Sequence, residues 1–199
     1  MRGGVLLWHR DMQLYLVRHT RPAIASGICY GQSDLDVAES FTEDLNAVRH
    51  KLADISPTLS FSSPLQRCTK LAEQLQLAPL KTDSRLMELD FGDWEMQAWE
   101  AIPRQQLDNW SMTYIDTPPP NGESFSALQQ RVIEFIHQLQ SQHQGQTILI
   151  ITHAGVIRAL LANVLNLALN EVFKFQLDYG SVTQLTFNDT VHNVGYINR

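Results

Sequence analysis

The chain has 199 residues, 44% of them apolar and 18% charged, which suits one packed domain and excludes a disordered chain. Its 15 Lys and Arg stand against 21 Asp and Glu, a net charge of −6, which excludes a general nucleic-acid binder but leaves room for a local basic pocket that holds one small anion. No apolar run reaches the roughly 18 residues of a membrane span, and Met1–Asp11 has no small-residue cleavage site, so a secretion signal is not expected.

Residues 1–11 read as an N-terminal extension ahead of a single domain over 12–199, with a short arm packed on the domain as the alternative. Leu14–Val17 is a β-rich apolar run of the kind buried on both faces of a sheet, and it ends at Arg18-His19. A loop follows over Pro22–Asp36, with Asp34 and Asp36 shaping a turn. Phe41, Leu45, Val48 and Leu52 repeat at helical spacing and predict a helix over about 42–54. Thr58–Ser62 predicts a second strand, and Ser63-Pro64 reads as the cap and first residue of the next helix. The buried stripe of that helix is Leu65, Cys68, Leu71, Ala72 and Leu75. Lys81–Leu86 predicts an edge strand.

Residues 92–123 carry Trp94, Trp99 and Trp110 together with Pro118-Pro119-Pro120. Short helices and a loop are expected there, forming a lid whose tryptophans make its own core. The longest helix runs from Ser124 to about His143, with Leu128, Val132, Phe135, Ile136 and Leu139 inward and Arg131 outward. Thr147–Thr152 is the clearest central strand, and His153-Ala154-Gly155 turns from it into a helix over Val156–Leu165. Val182–Phe187 and Val194–Ile197 close the sheet. Strands alternating with helices predict a three-layer α/β domain with a mostly parallel central sheet flanked by helices, plus the small lid. Cys29 and Cys68 lack a CxxC spacing and read as reduced thiols of a cytoplasmic protein, one in the core and one in a loop.

In such sheets ligands gather beyond the carboxyl ends of the strands. Arg18-His19, Arg67 and His153 all fall there, beside helix N-termini that favour an anion. Guanidinium forks match phosphate oxygens two at a time, so phosphate is the natural occupant. A neutral imidazole beside it can bind the anion or attack phosphorus and carry it covalently, and no metal or other cofactor is then needed. A departing alkoxide needs a proton from a nearby carboxylic acid. Glu88, Asp90, Glu95 and Glu123 are all candidates on the residues alone. His9, His50, His137, His143 and His192 read as surface residues.

Leu16-Val17-Arg18-His19-Thr20, Ser62-Ser63-Pro64-Leu65-Gln66-Arg67-Cys68, the stretch Met87–Glu95 and Thr152-His153-Ala154-Gly155-Val156-Ile157-Arg158 resemble, in order, four motifs of the histidine phosphatase (phosphoglycerate mutase-like) superfamily. The resemblance implies His19 as the phosphorylated nucleophile, with Arg18, Arg67 and His153 binding phosphate and Glu88 as proton donor and later base. Arg18–Pro22 and Gly27–Asp34 are similar to the alpha-ribazole phosphatase branch, which implies removal of phosphate from alpha-ribazole 5′-phosphate in cobalamin assembly. Arg21, Tyr30 and Gln32 become candidate substrate contacts. The chain departs from the usual pattern at Thr20, Arg21, Pro22 and Ala25, where relatives often carry Gly, Glu, Thr and Asn. The partner expected is a small phosphate ester, not a nucleic acid or a membrane, with a homodimer as a further expectation. The rivals are a sugar (bis)phosphate phosphatase, a phosphoglycerate mutase and an inactive phosphate-binding module.

Overall fold

Alternation along the central strands assigns successive side chains to opposite faces of one sheet. The computed structural model describes residues 11–77, 79–188 and 192–199. Its strands are β1 (Met12–Arg18), β2 (Leu59–Ser62), β3 (Leu80–Thr82), β4 (Thr147–Thr152), β5 (Val182–Phe187) and β6 (His192–Tyr196). Its α-helices are α1 (Phe41–Lys51), α2 (Gln66–Gln74), α3 (Arg104–Thr113), α4 (Phe125–Gln142) and α5 (Ala154–Leu165). The strand order is β3-β2-β4-β1-β5-β6. The pairings β3·β2, β2·β4 and β4·β1 are parallel, and β5 and β6 join antiparallel.

In β4, Ile148 and Ile150 enter the core beneath α4 and α5, while Leu149 and Ile151 enter the core beneath α1 and α2. In β1, Leu14 and Leu16 take the first side and Val17 the second. The result is the expected helix–sheet–helix layering. Each such side chain contributes roughly 1.5–3 kcal/mol by leaving water, so the strand ends that carry the polar groups are fixed to a rigid slab. Among the described residues, no helix is long and apolar enough to cross a membrane.

Several local expectations need correction. The N-terminal extension lies outside the described residues apart from Asp11, as does His9. Helix α1 stops at Lys51, short of residue 54, with Leu52 as its C-cap. Ser63-Pro64 does not open a helix. Helix α2 starts at Gln66, and its first amide donates to Asp34 Oδ1 at 2.7 Å. A carboxylate from a distant loop supplies the cap, while the Ser63 hydroxyl accepts from the Leu65 amide at 3.4 Å. Only Leu80–Thr82 of the third strand pairs, because a 3-10 turn over Ser84–Leu86 follows it. Helix α5 begins at Ala154, two residues earlier than expected. Cys29 and Cys68 are both fully buried, although Cys29 belongs to a loop.

Residues 92–123 form two 3-10 turns and α3, and they pack a separate aromatic cluster with Cys29 and Ile102. Arg131 does not face outward. Its guanidinium pairs with Glu123 at 2.7 Å and donates to the carbonyls of Arg85, Met87 and Glu88.

Candidate active site

Parallel pairing brings three chain segments to one edge of the sheet. Arg18 lies opposite Thr152 and Ser62 opposite Ile151. The ladder runs one residue further on each side, with His19 N–H donating to Thr152 O and Ser63 N–H to Ile151 O, both at 2.9 Å. His19, Ser63 and His153 therefore sit side by side. The His19 and His153 ring centroids are 5.0 Å apart, with the planes at 60°.

His19 is 2% exposed, and its Nδ1 lies 2.7 Å from the Thr20 carbonyl. A carbonyl only accepts, so Nδ1 carries the proton and Nε2 keeps its lone pair. Burial, then the positive charges of Arg67 and Arg18, push the His19 pKa well below the ordinary histidine value. The ring is neutral at pH 7. The Thr20 side chain plays no part in that bond, and its buried Oγ1 has no hydrogen-bond partner.

Arg67 is fully buried on α2. It donates to the carbonyls of Ser33 at 2.8 Å and Gly31 at 2.5 Å, and its Nη2 lies 3.3 Å from His153 Nδ1. Arg18 donates to the Leu177 carbonyl and stacks on the Tyr179 ring, 3.8 Å from its centroid. The Nε of each arginine is buried without a hydrogen-bond partner. Two cations with spare donors thus flank a neutral imidazole, an arrangement that suits an oxyanion.

His153 caps α5, and burial, then the charges of its neighbours, hold its pKa well below the ordinary value. Guanidinium only donates, so Nδ1 accepts, and Nε2 carries the proton toward Ser63 Oγ at 2.8 Å. Cys68 Sγ lies 3.5 Å from the same nitrogen. Burial raises the thiol pKa of Cys68, and likewise of Cys29, to about 12, so neither is a thiolate nucleophile.

A cavity of about 470 Å³ opens beside His19. Arg18, His19, Tyr30 and Glu88 line it, whereas Arg67, His153, Arg21 and Gln32 do not. Of the four open carboxylates, Glu88 alone lines it among the described residues. Asp90 takes the Gly92 amide at 2.8 Å, and Glu123 pairs with Arg131. Glu95 binds the amides of Gln32, Ser33 and Phe91 and the Ser33 hydroxyl. Burial pushes its pKa up, but these hydrogen bonds outweigh it and hold the carboxyl below the usual range. Glu88 accepts from its neighbour Leu89 N–H at 2.9 Å and from Gly155 N–H, in the first turn of α5, at 3.2 Å. A Cβ at position 155 would meet the Glu88 carboxylate and push it aside, so glycine there leaves the carboxylate where it stands.

The structure spreads the three candidate substrate contacts apart. Arg21 is drawn to Asp44 of α1 at 3.1 Å, with 58% of its side chain exposed. Gln32 holds the Glu88 carbonyl at 3.1 Å. Tyr30 alone faces the cavity, and its hydroxyl meets that of Tyr179 at 2.7 Å. Trp94 is buried as expected, but Trp99 and Trp110 line the cavity with Phe91, Tyr114 and Phe173. Sequence reasoning missed Tyr179, the strut Arg131 and the space-giving Gly155. Only Gly155 left a signal, the His-Ala-Gly turn at a strand end.

The fold and this edge define a phosphate-handling α/β protein. A family model for the histidine phosphatase superfamily (branch 1) matches residues 14–198, and the chain belongs to that superfamily. An adenosylcobalamin/alpha-ribazole phosphatase of Escherichia coli is 27% identical over 94% of this chain and 96% of its own. Phosphoserine phosphatase 1 of Hydrogenobacter thermophilus is 25% identical over 85% and 84%. The crystal structure of the alpha-ribazole phosphatase from Shigella flexneri superposes with a TM-score of 0.86 at 28% identity, over 94% and 96% of the two chains.

Proposed function

We propose that this chain is a phosphomonoesterase that works through a phosphohistidine on His19, with alpha-ribazole 5′-phosphate as its substrate. The observation that carries the reaction is the neutral His19 ring, with Nδ1–H fixed on the Thr20 carbonyl and Nε2 unprotonated beside Arg18 and Arg67. The Nε2 lone pair attacks phosphorus, and the P–O ester bond breaks. The Glu88 carboxyl gives its proton to the departing oxygen. Water then attacks phosphorus and passes a proton to Glu88, and the N–P bond breaks, returning the lone pair to Nε2. Arg18, which lines the cavity, holds the oxygens as their charge is redistributed, and the family resemblance gives Arg67 and His153, which do not line it, the same task.

The substrate assignment rests on the aromatic walls of the cavity, which fit a flat heterocycle, and on the names of the E. coli and Shigella relatives. Residues 12–199 act as one domain, with 92–123 as the insert that covers the alcohol half. Both cysteines are free, which suits a reducing cytoplasm.

The test is a kinetic panel of alpha-ribazole 5′-phosphate, O-phosphoserine, 3-phosphoglycerate and phenyl phosphate, run with and without EDTA. The expected result is the highest kcat/KM for the ribazole ester, no effect of chelator and no mutase product. Preference for a small acid, or conversion of 3-phosphoglycerate to its isomer, overturns the assignment.

A further inference from the structure

Arg158 closes the fourth motif but has no part in the steps above. It lies on α5 one turn beyond Gly155, about 4.5 Å further along the axis, and it lines the same cavity as His19 and Glu88. Its Nε is buried with no hydrogen-bond partner. Its Nη2 reaches the Phe175 carbonyl only at 3.5 Å, the outer edge of a hydrogen bond. The Phe173 ring flanks it, 5.2 Å from Cζ. Burial lowers its pKa, and the charge of Glu88 works against that.

A half-buried guanidinium with spare donors, set in an otherwise aromatic wall, requires an acceptor that arrives with the ligand. Its position says which part of the ligand that is. Glu88, bonded to the Gly155 amide, marks where the ester oxygen leaves. Arg158 comes next along α5, so it meets groups a few bonds beyond that oxygen.

We propose that Arg158 is the specificity residue for the alcohol half of the ester, donating in a fork to a pair of oxygen acceptors carried on the third or fourth carbon from the ester oxygen. This rests on the phosphatase reading of the cavity. A ribosyl vicinal diol and a carboxylate both carry such a pair, and the aromatic wall takes whatever lies further out.

The experiment compares the intact protein with Arg158→Gln and Arg158→Lys on phenyl phosphate, benzimidazole ribosyl 5′-phosphate, its 2′,3′-dideoxy analogue and O-phosphoserine. Melting curves establish that both variants fold. Arg158→Gln is expected to lower kcat/KM about tenfold to a hundredfold more for an acceptor-bearing ester than for phenyl phosphate. Arg158→Lys keeps the charge without the fork and falls between. A loss on the ribosyl ester that the dideoxy analogue escapes assigns the diol, and a loss on phosphoserine assigns the carboxylate. An equal proportional fall on all four esters, or no fall on any, overturns the proposal. Failure of the unmutated protein to cleave any of the four overturns the phosphatase reading itself.

Discussion

The two ends of the cavity are built differently. At the inner end these side chains are anchored to backbone: His19 to the Thr20 carbonyl, Arg67 to Gly31 and Ser33, Arg18 to Leu177, Glu88 to the Leu89 and Gly155 amides. At the outer end ring meets ring: Trp110 with Tyr114 at 5.7 Å, Tyr114 with Phe173 at 5.4 Å, and Trp99 edge-on to Phe91 at 5.5 Å. Backbone-anchored donors preorganise charge stabilisation at a fixed point. Packed rings give contact area with few directed polar groups. Under the proposed function, the inner end sets the reaction and the outer end sets which esters undergo it.

Mutations can break that division. Glu88→Gln removes the proposed proton donor of the inner end and leaves the outer wall intact. We expect kcat/KM, which reports formation of the phosphohistidine, to fall by about 10²–10⁴ on an alkyl phosphate, and the fall on 4-nitrophenyl phosphate, whose leaving group needs no proton, to be far smaller. Equal losses on both would remove Glu88 from the leaving-group step. Trp110→Ala should act in the opposite sense, raising KM for a heteroaryl ester about tenfold while kcat stays within a few-fold. A collapse of kcat would show that the outer wall reaches into the chemistry.

The smallest effect is one of stability. His19 and His153 are buried with pKa values below the ordinary 6.5. Below pH 6.5 the unfolded chain binds protons that the native chain refuses, so stability falls as pH drops from about 7.5 to about 5.5. Each ring contributes at most about 1.4 kcal/mol per pH unit. Denaturant midpoints across this range should show the decline, and His19→Ala should flatten it. A midpoint that rises as pH falls would contradict the buried, neutral pair.

The sequence showed most where a cause was local. Thr147–Thr152 is a β-branched run bounded by polar residues, and His153 had to follow it at a strand end. It showed least where partners come from far along the chain. The Ser63-Pro64 cap pattern lost to Asp34, a loop carboxylate that reaches the first amide of α2. Arg131 sits among glutamines on a helix face that reads as solvated, because its carbonyl partners lie more than forty residues earlier. Arg21 looked like a substrate cation until the fold set it beside Asp44. The strand-end chemistry was thus legible, while the struts and the aromatic wall depend on contacts that no local pattern encodes.

The most direct measurement is rapid-quench mass spectrometry on the Glu88→Gln protein with 4-nitrophenyl phosphate. The account predicts a phosphoryl group on the peptide that contains His19, stable in base and lost in acid, with its hydrolysis slowed for want of the Glu88 base. A phosphoryl group on any other residue, or none at all during turnover, would contradict it.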